Sequence, residues 1–294
     1  MNIFSLILVL CCVILGSKCI LQGPSSNLSS IVAYKSDMSD DGSILILATQ
    51  TMDIKLYSVG ADGQITLLFT KSGFGIYSYI DVSPDGTFAA LAENNTVEIC
   101  NITANSLVSF QNISLTLSES VESASFSPTN LYLTLSELSG KAMIYKLIGT
   151  YSLFDTVVET QKLIVVMMPI NLYFATGGDE KILRIYKINN SGVTLIQSIS
   201  NNNKVITNIK ISSDESQILV LSNNFLRIYS GGNGSYSFSQ EITLQETFAT
   251  DVIACNTNDI LMTCGNGNNL IEVYTVQSSG YFAINETKNI GSGV

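Results

Sequence analysis

The amino-acid sequence predicts an all-β fold, a six-bladed β-propeller with four antiparallel strands in each blade. Two repeated features that keep step with each other predict this fold. A short strand motif ending in Tyr recurs six times along the 294 residues, and a turn motif precedes each copy by 17 or 18 residues. Four short strands in every 41 to 45 residues match the repeat length of a propeller blade.

The strand motif has four residues, and its last position, the Tyr slot, is Tyr in five of the six copies. The slots are Tyr57, Cys100, Tyr145, Tyr186, Tyr229 and Tyr274. Successive slots are 43, 45, 41, 43 and 45 residues apart. Because this spacing is regular, we expect one such strand at the same place in every blade.

The turn motif supplies the second repeat. The turns begin at Ser39, Ser83, Ser127, Met168, Ser212 and Asn256. In the copies at 39–42 and 83–86, Asp or Pro starts a tight turn and the final Gly accepts a positive φ. An apolar residue precedes each turn and a β-rich run follows it. Each unit therefore contains an inner strand, a turn, a second strand, the Tyr strand and a fourth strand.

The N-terminal segment indicates secretion. Residues 3–15 are apolar except for Ser5, a run too short to span a bilayer, and small residues follow it. This pattern predicts a signal peptide cut after Cys19, although a retained anchor and a lipidated Cys19 are alternatives. The predicted organisation is a signal peptide at 1–19, an N-terminal arm at 20–30, the propeller at 31–289 and a C-terminal tail at 290–294.

Charge limits the partners that the chain can bind. The net charge is −10, the sequence pI is near 4.4, and Arg184 and Arg227 are the two arginines in the sequence. A phosphate-binding face needs clustered Lys and Arg, so we expect no nucleic-acid partner. We also expect no membrane association after the signal peptide is removed. Just 13% of the residues are charged, so another group must keep the surface soluble.

Asparagine-linked glycans fit that requirement. The candidate N-glycosylation sites, each in an Asn-x-Ser/Thr sequon, are Asn27, Asn94, Asn101, Asn112, Asn189, Asn233 and Asn285. In the repeat alignment none of the seven falls on an inner strand. Because a glycan needs solvent around it, this placement supports both the fold and the modification.

The repeat resembles that of the WD-repeat propellers over residues 31–288. In that family the Tyr slot is usually Trp followed by Asp, and a Gly-His pair accompanies it, but this chain has neither Trp nor His. The resemblance therefore implies the fold and not the buried polar network of the family. Family members usually close the ring with strands from both chain ends. Here the arms at 20–30 and 290–294 either close their own ring or join a neighbouring molecule.

The composition also excludes several enzyme classes. Without His the chain cannot form a Ser-His-Asp or Cys-His site, and two arginines cannot form the three-arginine clamp of sialidase propellers. A lactonase-like metal site could use Asp37, Asp81 or Asp251, but strand-end carboxylates more often bind turn amides. We expect no catalytic, cofactor-binding or metal-binding residues. Cys100, Cys255 and Cys264 occupy apolar repeat positions, so we expect them to be reduced.

The sequence thus predicts a secreted, non-enzymatic structural or interaction protein. Its sparse charge and free terminal arms favour self-assembly into an extracellular homo-oligomer or homopolymer. The alternatives are a propeller that binds a small molecule, carbohydrate or peptide at its central mouth, and a metal-dependent enzyme of the lactonase type.

Overall fold

A computed structural model describes residues 33–60, 65–72, 77–115, 120–159, 161–170, 172–245, 249–254, 260–265, 270–278 and 281–289. The predictions for the signal peptide, both arms, Asn27 and Cys255 concern residues outside these ranges. The side chains of Asp251 and Cys264 also lie outside the description. Within the described ranges, the chain has no helix with the length and apolar character needed to span a membrane.

The chain forms six four-stranded antiparallel sheets, and in each sheet the strands lie in chain order. Blades 1 and 2 consist of β1 (Ala33–Met38), β2 (Ile44–Thr49), β3 (Ile54–Val59), β4 (Ile65–Lys71), β5 (Tyr79–Val82), β6 (Phe88–Glu93), β7 (Thr96–Thr103) and β8 (Ser106–Ser114). Blades 3 and 4 consist of β9 (Val121–Phe126), β10 (Tyr132–Glu137), β11 (Lys141–Ile148), β12 (Thr150–Val158), β13 (Leu163–Met167), β14 (Tyr173–Gly178), β15 (Ile182–Asn189) and β16 (Gly192–Ser200). Blades 5 and 6 consist of β17 (Asn208–Ile211), β18 (Gln217–Ser222), β19 (Phe225–Gly232), β20 (Ser235–Thr243), β21 (Ala249–Ala254), β22 (Ile260–Gly265), β23 (Leu270–Val276) and β24 (Phe282–Asn289). The predicted six-bladed β-propeller is confirmed.

The core lies between neighbouring blades. In β10, for example, all six residues are buried, although successive side chains of a strand point to opposite faces. Both faces are therefore covered. One face of blade 3 packs against blade 2 in a cluster that includes Val97, Ile99, Leu133 and Leu135. Each fully buried Leu or Ile of this kind stabilises the fold by about 1.5–3 kcal/mol.

The Tyr slot lies on the third strand of every blade and is buried in all six, as the repeat predicts. Directly beside it, the register between the third and fourth strands shifts by one residue in each blade. The extra residues of the fourth strands are Leu68, Phe110, Phe154, Ile196, Ser239 and Asn285. Such a β-bulge increases local twist. It is a constant feature of the blade that the sequence did not reveal.

The predicted turns owe their shape to a Ser and an Asp. The Ser83 hydroxyl donates to Asp85 Oδ1 at 2.8 Å, and the Phe88 amide donates to Ser83 Oγ at 2.8 Å. The turns that begin at Ser39 and Ser212 repeat this arrangement. The fourth turn residue has positive φ at Gly42, Gly86, Asn130 and Glu215. Glu215 adopts a conformation that is costly for its residue type, and the amide of Ile170 in the preceding blade binds its carboxylate.

Cys100 replaces Tyr in the slot of blade 2. Its side chain is fully buried and forms no disulfide, as expected. Burial, together with the nearby negative charge of Glu98, raises the pKa of the Cys100 thiol to about 12. The thiol therefore stays protonated near neutral pH, which suits an apolar core position.

Candidate functional site

Two regions of the propeller present side chains that a ligand or a partner could contact. They are the central channel, which the inner strands enclose, and the outer rim, which the fourth strands form. The inner strands β1, β5, β9, β13 and β17 enclose a cavity of about 440 Å³, and a smaller cavity of about 170 Å³ lies at the end of the channel nearest the turns. Asp37, Asp81, Ser125 and Lys210 line both cavities. The channel is therefore polar at its turn end.

The polar residues of the channel first serve to join the blades. Asp37 Oδ2 accepts a hydrogen bond from the Val82 amide at 2.6 Å, and Asp81 Oδ2 accepts one from the Phe126 amide at 2.9 Å. Ser125 Oγ accepts one from the Met167 amide at 3.0 Å. These three acceptors occupy the same position of successive inner strands. The sequence predicted that these carboxylates bind turn amides. That prediction was wrong, because the amides that they bind belong to the inner strand of the following blade.

Removal from water changes the acidity of these carboxyls. Burial raises the pKa of Asp37 to about 6, and the positive charge of Lys210 opposes the shift. Burial also raises the pKa of Asp81 well above its usual range, and the negative charge of Asp37 adds to that effect. Burial likewise raises the pKa of Asp40 at the same end of the channel. The state in which all three carboxyls are ionised at once is therefore unfavourable.

Asp37 and Asp81, two of the residues that the sequence suggests for a metal, already have partners in the channel. Among the described residues, no three His, Cys, Asp or Glu side chains are grouped so that they could hold a metal ion. Asp37 and Asp81 each use an oxygen on a backbone amide, and Lys210 adds a positive charge beside them. The third residue suggested for a metal, Asp251, lies on β21 next to the channel strands, but its side chain is outside the description.

On the third strand, the residue two positions before the Tyr slot is charged in five blades. Three of these side chains form ion pairs. Arg184 Nη1 lies 2.7 Å from Glu159, and Arg227 Nε lies 2.6 Å from Glu241. In blade 2 the same position holds Glu98, whose carboxylate lies 2.6 Å from Lys71 Nζ of blade 1. These three side chains are therefore paired.

A second set of contacts between blades lies near the rim. Gln240 accepts a hydrogen bond from the Phe282 amide at 2.8 Å and donates one to the Phe282 carbonyl at 2.7 Å. The same two-point clasp joins Gln111 to Tyr151 and Gln197 to Tyr236, always from one blade to the fourth strand of the next. The two repeated motifs of the sequence do not include these glutamines. The signal was available, since each stands 11 residues after its Tyr slot.

The rim exposes apolar side chains in a repeated position. The fourth-strand residue that pairs with the Tyr slot is Leu67, Leu153, Leu195, Phe238 or Ile284 in five blades. These five side chains are 44–58% exposed. In blade 2 the position is Ser109, and its neighbour Val108 is exposed instead. A band of exposed aliphatic and aromatic groups thus follows the outer strands.

Charge is divided unevenly between the rim and the rest of the molecule. The six outer hairpins, each formed by the third and fourth strands of a blade, contain eight Lys or Arg and five Asp or Glu on those strands. The remainder of the sequence contains six Lys or Arg and nineteen Asp or Glu. The net charge of −10 therefore arises outside these strands.

The predicted glycosylation sites are placed as follows. The asparagines with exposed side chains are Asn94, Asn112, Asn233 and Asn285, and those with partly exposed side chains are Asn101 and Asn189. Asn94 lies between β6 and β7, and Asn233 lies between β19 and β20. The other four lie on third or fourth strands. All six are thus accessible, and their modification remains a prediction.

Comparisons with known proteins support the fold and give no family. No protein-family model matches the sequence, and no curated protein matches it. Among solved structures, the crystal structure of a structural-genomics target from Lactobacillus plantarum is similar, with a TM-score of 0.72. The match covers 87% of this chain and 84% of that one at 15% identity. At this identity the likeness concerns the fold alone, and the resemblance to WD-repeat propellers stays a prediction.

Proposed function

We propose that this chain is a secreted, N-glycosylated, non-enzymatic structural or interaction protein that associates with copies of itself outside the cell. The observation that carries the proposal is the band of exposed apolar side chains on the outer strands. Exposed apolar side chains on strands at the end of a sheet favour pairing with another chain.

The electrostatics of the rim support the same function. Long-range repulsion between copies of an acidic protein opposes association. Here the outer hairpins carry slightly more basic than acidic residues, so two rims can approach with little repulsion. The polar inner clasps, in contrast, join blades within one molecule. We therefore propose the rim as the surface that contacts a second copy.

Glycans at the proposed sites would limit which parts of the rim associate. Asn112 and Asn285 lie on fourth strands, and Asn233 lies beside one. A glycan there covers the adjacent strand edge and blocks pairing. Outer strands without a sequon remain available, so the pattern of sequons would select the contacts that form.

The test is to express the full chain in a secreting eukaryotic host and measure its molar mass by light scattering over a range of concentrations. We expect a molar mass that rises with concentration to at least twice that of the glycosylated monomer, and a mass decrease on enzymatic deglycosylation. A species that remains monomeric at every concentration contradicts self-association. Retention inside the cell, or a mass unchanged by deglycosylation, contradicts secretion or glycosylation respectively.

The channel supports a second candidate function, the binding of a small molecule, carbohydrate or peptide without chemistry. Its cavity of about 440 Å³ is within the usual size range of ligand pockets, and charged groups of both signs line it. A thermal-shift screen with monosaccharides, amino acids and simple amines tests this candidate. Binding in the channel predicts a shift in melting temperature that Lys210→Met abolishes, whereas no shift with any of these compounds argues against it.

A further inference from the structure

We propose that the channel binds a free α-amino acid with an apolar side chain, whose ammonium group contacts Asp37 and Asp81 and whose carboxylate contacts Lys210. The inference rests on the proposed ligand binding in the channel and specifies the class of ligand. The binding position is the junction of the two cavities, because Asp37, Asp81 and Lys210 line both of them.

Charges of both signs lie near one another at this junction. Asp37, Asp81 and Lys210 hold the same position on β1, β5 and β17, two residues before the turn. Burial raises the pKa of Asp37 and of Asp81, and the positive charge of Lys210 opposes that shift in both. The three groups therefore act on one another electrostatically. An α-amino acid carries an ammonium and a carboxylate on one carbon, so it offers both complementary charges within a similarly short distance.

The contacts between blades leave hydrogen-bonding capacity in the channel. Asp81 Oδ2 accepts a hydrogen bond from the Phe126 amide at 2.9 Å, but Oδ1 accepts one from no described residue. Burial has taken water from this carboxylate, and a bound ammonium would replace that water with charge-assisted hydrogen bonds. Ser36 also lines the larger cavity, and its buried hydroxyl has no hydrogen-bond partner in the described part of the chain. Polar groups of this kind favour a polar ligand.

Apolar side chains line the smaller cavity beside these charges. The residues that directly precede the turns of blades 1 to 5 are Met38, Val82, Phe126, Met167 and Ile211, and all five line it. Such a lining suits an aliphatic side chain better than the hydroxyls of a sugar ring. The volume of about 170 Å³ is below the range of about 300–1,000 Å³ that is usual for drug-sized ligands. The smaller cavity therefore favours one short apolar side chain over a peptide.

The experiment measures the binding of four compounds to the full secreted chain by isothermal titration calorimetry. L-Leucine has the ammonium, the carboxylate and an apolar side chain. L-Leucinamide lacks the carboxylate, 4-methylpentanoate lacks the ammonium, and glycine lacks the side chain. We expect leucine to bind at least about tenfold more tightly than each of the other three, because each of them loses one of the three contacts.

Asp81→Asn tests the position of the ligand. The variant keeps a side-chain oxygen for the Phe126 amide but removes the negative charge, so leucine should bind at least about tenfold more weakly. The matched control is Asp179→Asn, the same change at an exposed residue that lines neither cavity, and it should leave leucine binding unchanged. Circular dichroism verifies that both variants fold. The comparison of the four compounds uses the unmodified chain and decides the ligand class even if a variant does not fold.

The outcomes separate this inference from ligand binding in general. If any of the three analogues binds as tightly as leucine, or if a folded Asp81→Asn variant binds leucine as tightly as the unmodified chain, the inference is overturned. If leucine does not bind but a monosaccharide or a simple amine gives a thermal shift that Lys210→Met abolishes, the ligand class is overturned and binding in the channel stands. If none of these compounds binds, both are overturned.

Discussion

The channel and the rim both carry side chains that recur once in each blade, but the two sets differ in polarity and in exposure. On the inner strands, the repeated position of Asp37, Asp81 and Ser125 is polar, and each side chain binds the backbone of the next blade. On the outer strands, the repeated position of Leu67 and Leu153 is apolar and exposed. The polar side chains of the inner strands thus bind backbone groups of the same molecule, whereas the apolar side chains of the outer strands are exposed.

The difference teaches that periodicity identifies a face of a strand but not what covers it. Near the channel the blades converge, so side chains such as Asp37 and Asp81 reach the backbone of a neighbouring blade. At the rim the blades diverge, and the apolar residue opposite a buried Tyr has no blade above it. Substitutions on the two kinds of face should therefore differ in their effect on stability.

Leu135 and Leu153 provide the sharpest test, because both are leucines of blade 3. Leu135 is fully buried, so Leu135→Ala should lower the free energy of unfolding by about 2–5 kcal/mol through lost burial and a new cavity. Leu153→Ala should change it by no more than about 0.5 kcal/mol, as for most surface positions. Urea denaturation of monomeric protein measures both. Similar losses for the two variants would mean that the rim is covered after all.

Asp37 should make stability depend on pH in an unusual direction. Its folded-state pKa of about 6 exceeds the unfolded value of 3.8, so the folded state binds more protons between these values. Stability is therefore expected to decrease as pH rises from about 4 to about 6 and to stay lower above that, by up to about 3 kcal/mol. Asp37→Asn keeps an oxygen for the Val82 amide and should make this decrease smaller, while the raised pKa values of Asp81 and Asp40 continue to contribute to it. Thermal denaturation between these pH values measures it.

Asp41 serves as a control of opposite sign. Burial acts to raise its pKa, but hydrogen bonds from Ser39 and Ser43 outweigh this and lower it below the ordinary value. Its ionised form therefore stabilises the fold at neutral pH, and that contribution is lost as pH falls through the folded pKa. Asp41→Asn should accordingly destabilise the protein at pH 7 and matter less in acid. If both variants change stability in the same direction at pH 7, the assignment for Asp37 is wrong.

The sequence was sufficient for the parts of the fold that repeat within one blade. The Tyr slots predicted six buried third strands, and Gly42 and Gly86 predicted positive φ in two turns, all of which the structure contains. Both follow from local rules, the alternation of a strand and the backbone freedom of glycine. The secretion, glycosylation and assembly predictions remain to be tested.

Contacts between blades were beyond that reasoning. Asp81 binds the amide of Phe126, 45 residues away, and Gln197 binds the backbone of Tyr236, 39 residues away. The amides involved carry no sequence signature, because every residue except Pro has one. Glu215 is a similar case. Its backbone has positive φ, and its carboxylate accepts a hydrogen bond from the amide of Ile170. Such partners become visible once the blades are placed side by side.

Gln240 tests whether the outer clasps stabilise the ring. Gln240→Ala leaves the amide and carbonyl of Phe282 without their partner and should cost about 1–3 kcal/mol. Gln240→Glu retains the acceptor for the amide but removes the donor for the carbonyl, so its loss should differ from that of alanine. Urea denaturation ranks the variants. Equal stability of Gln240→Ala and the unmodified protein would show that water replaces the clasp at no cost.

The Lys71–Glu98 ion pair should give the smallest effect. It joins blades 1 and 2 where Phe69 occupies the position that Gln holds in blades 2, 4 and 5. Both side chains are less than one-fifth exposed, so a double-mutant cycle of Lys71→Met and Glu98→Gln should give a coupling energy of about 0.5–1 kcal/mol. High salt should reduce this coupling far less than that of a fully exposed pair, because partly buried charges are weakly screened. A coupling energy that vanishes in high salt would mean that solvent surrounds the pair. The contact between blades 1 and 2 would then be open to water at this point, as the rim is.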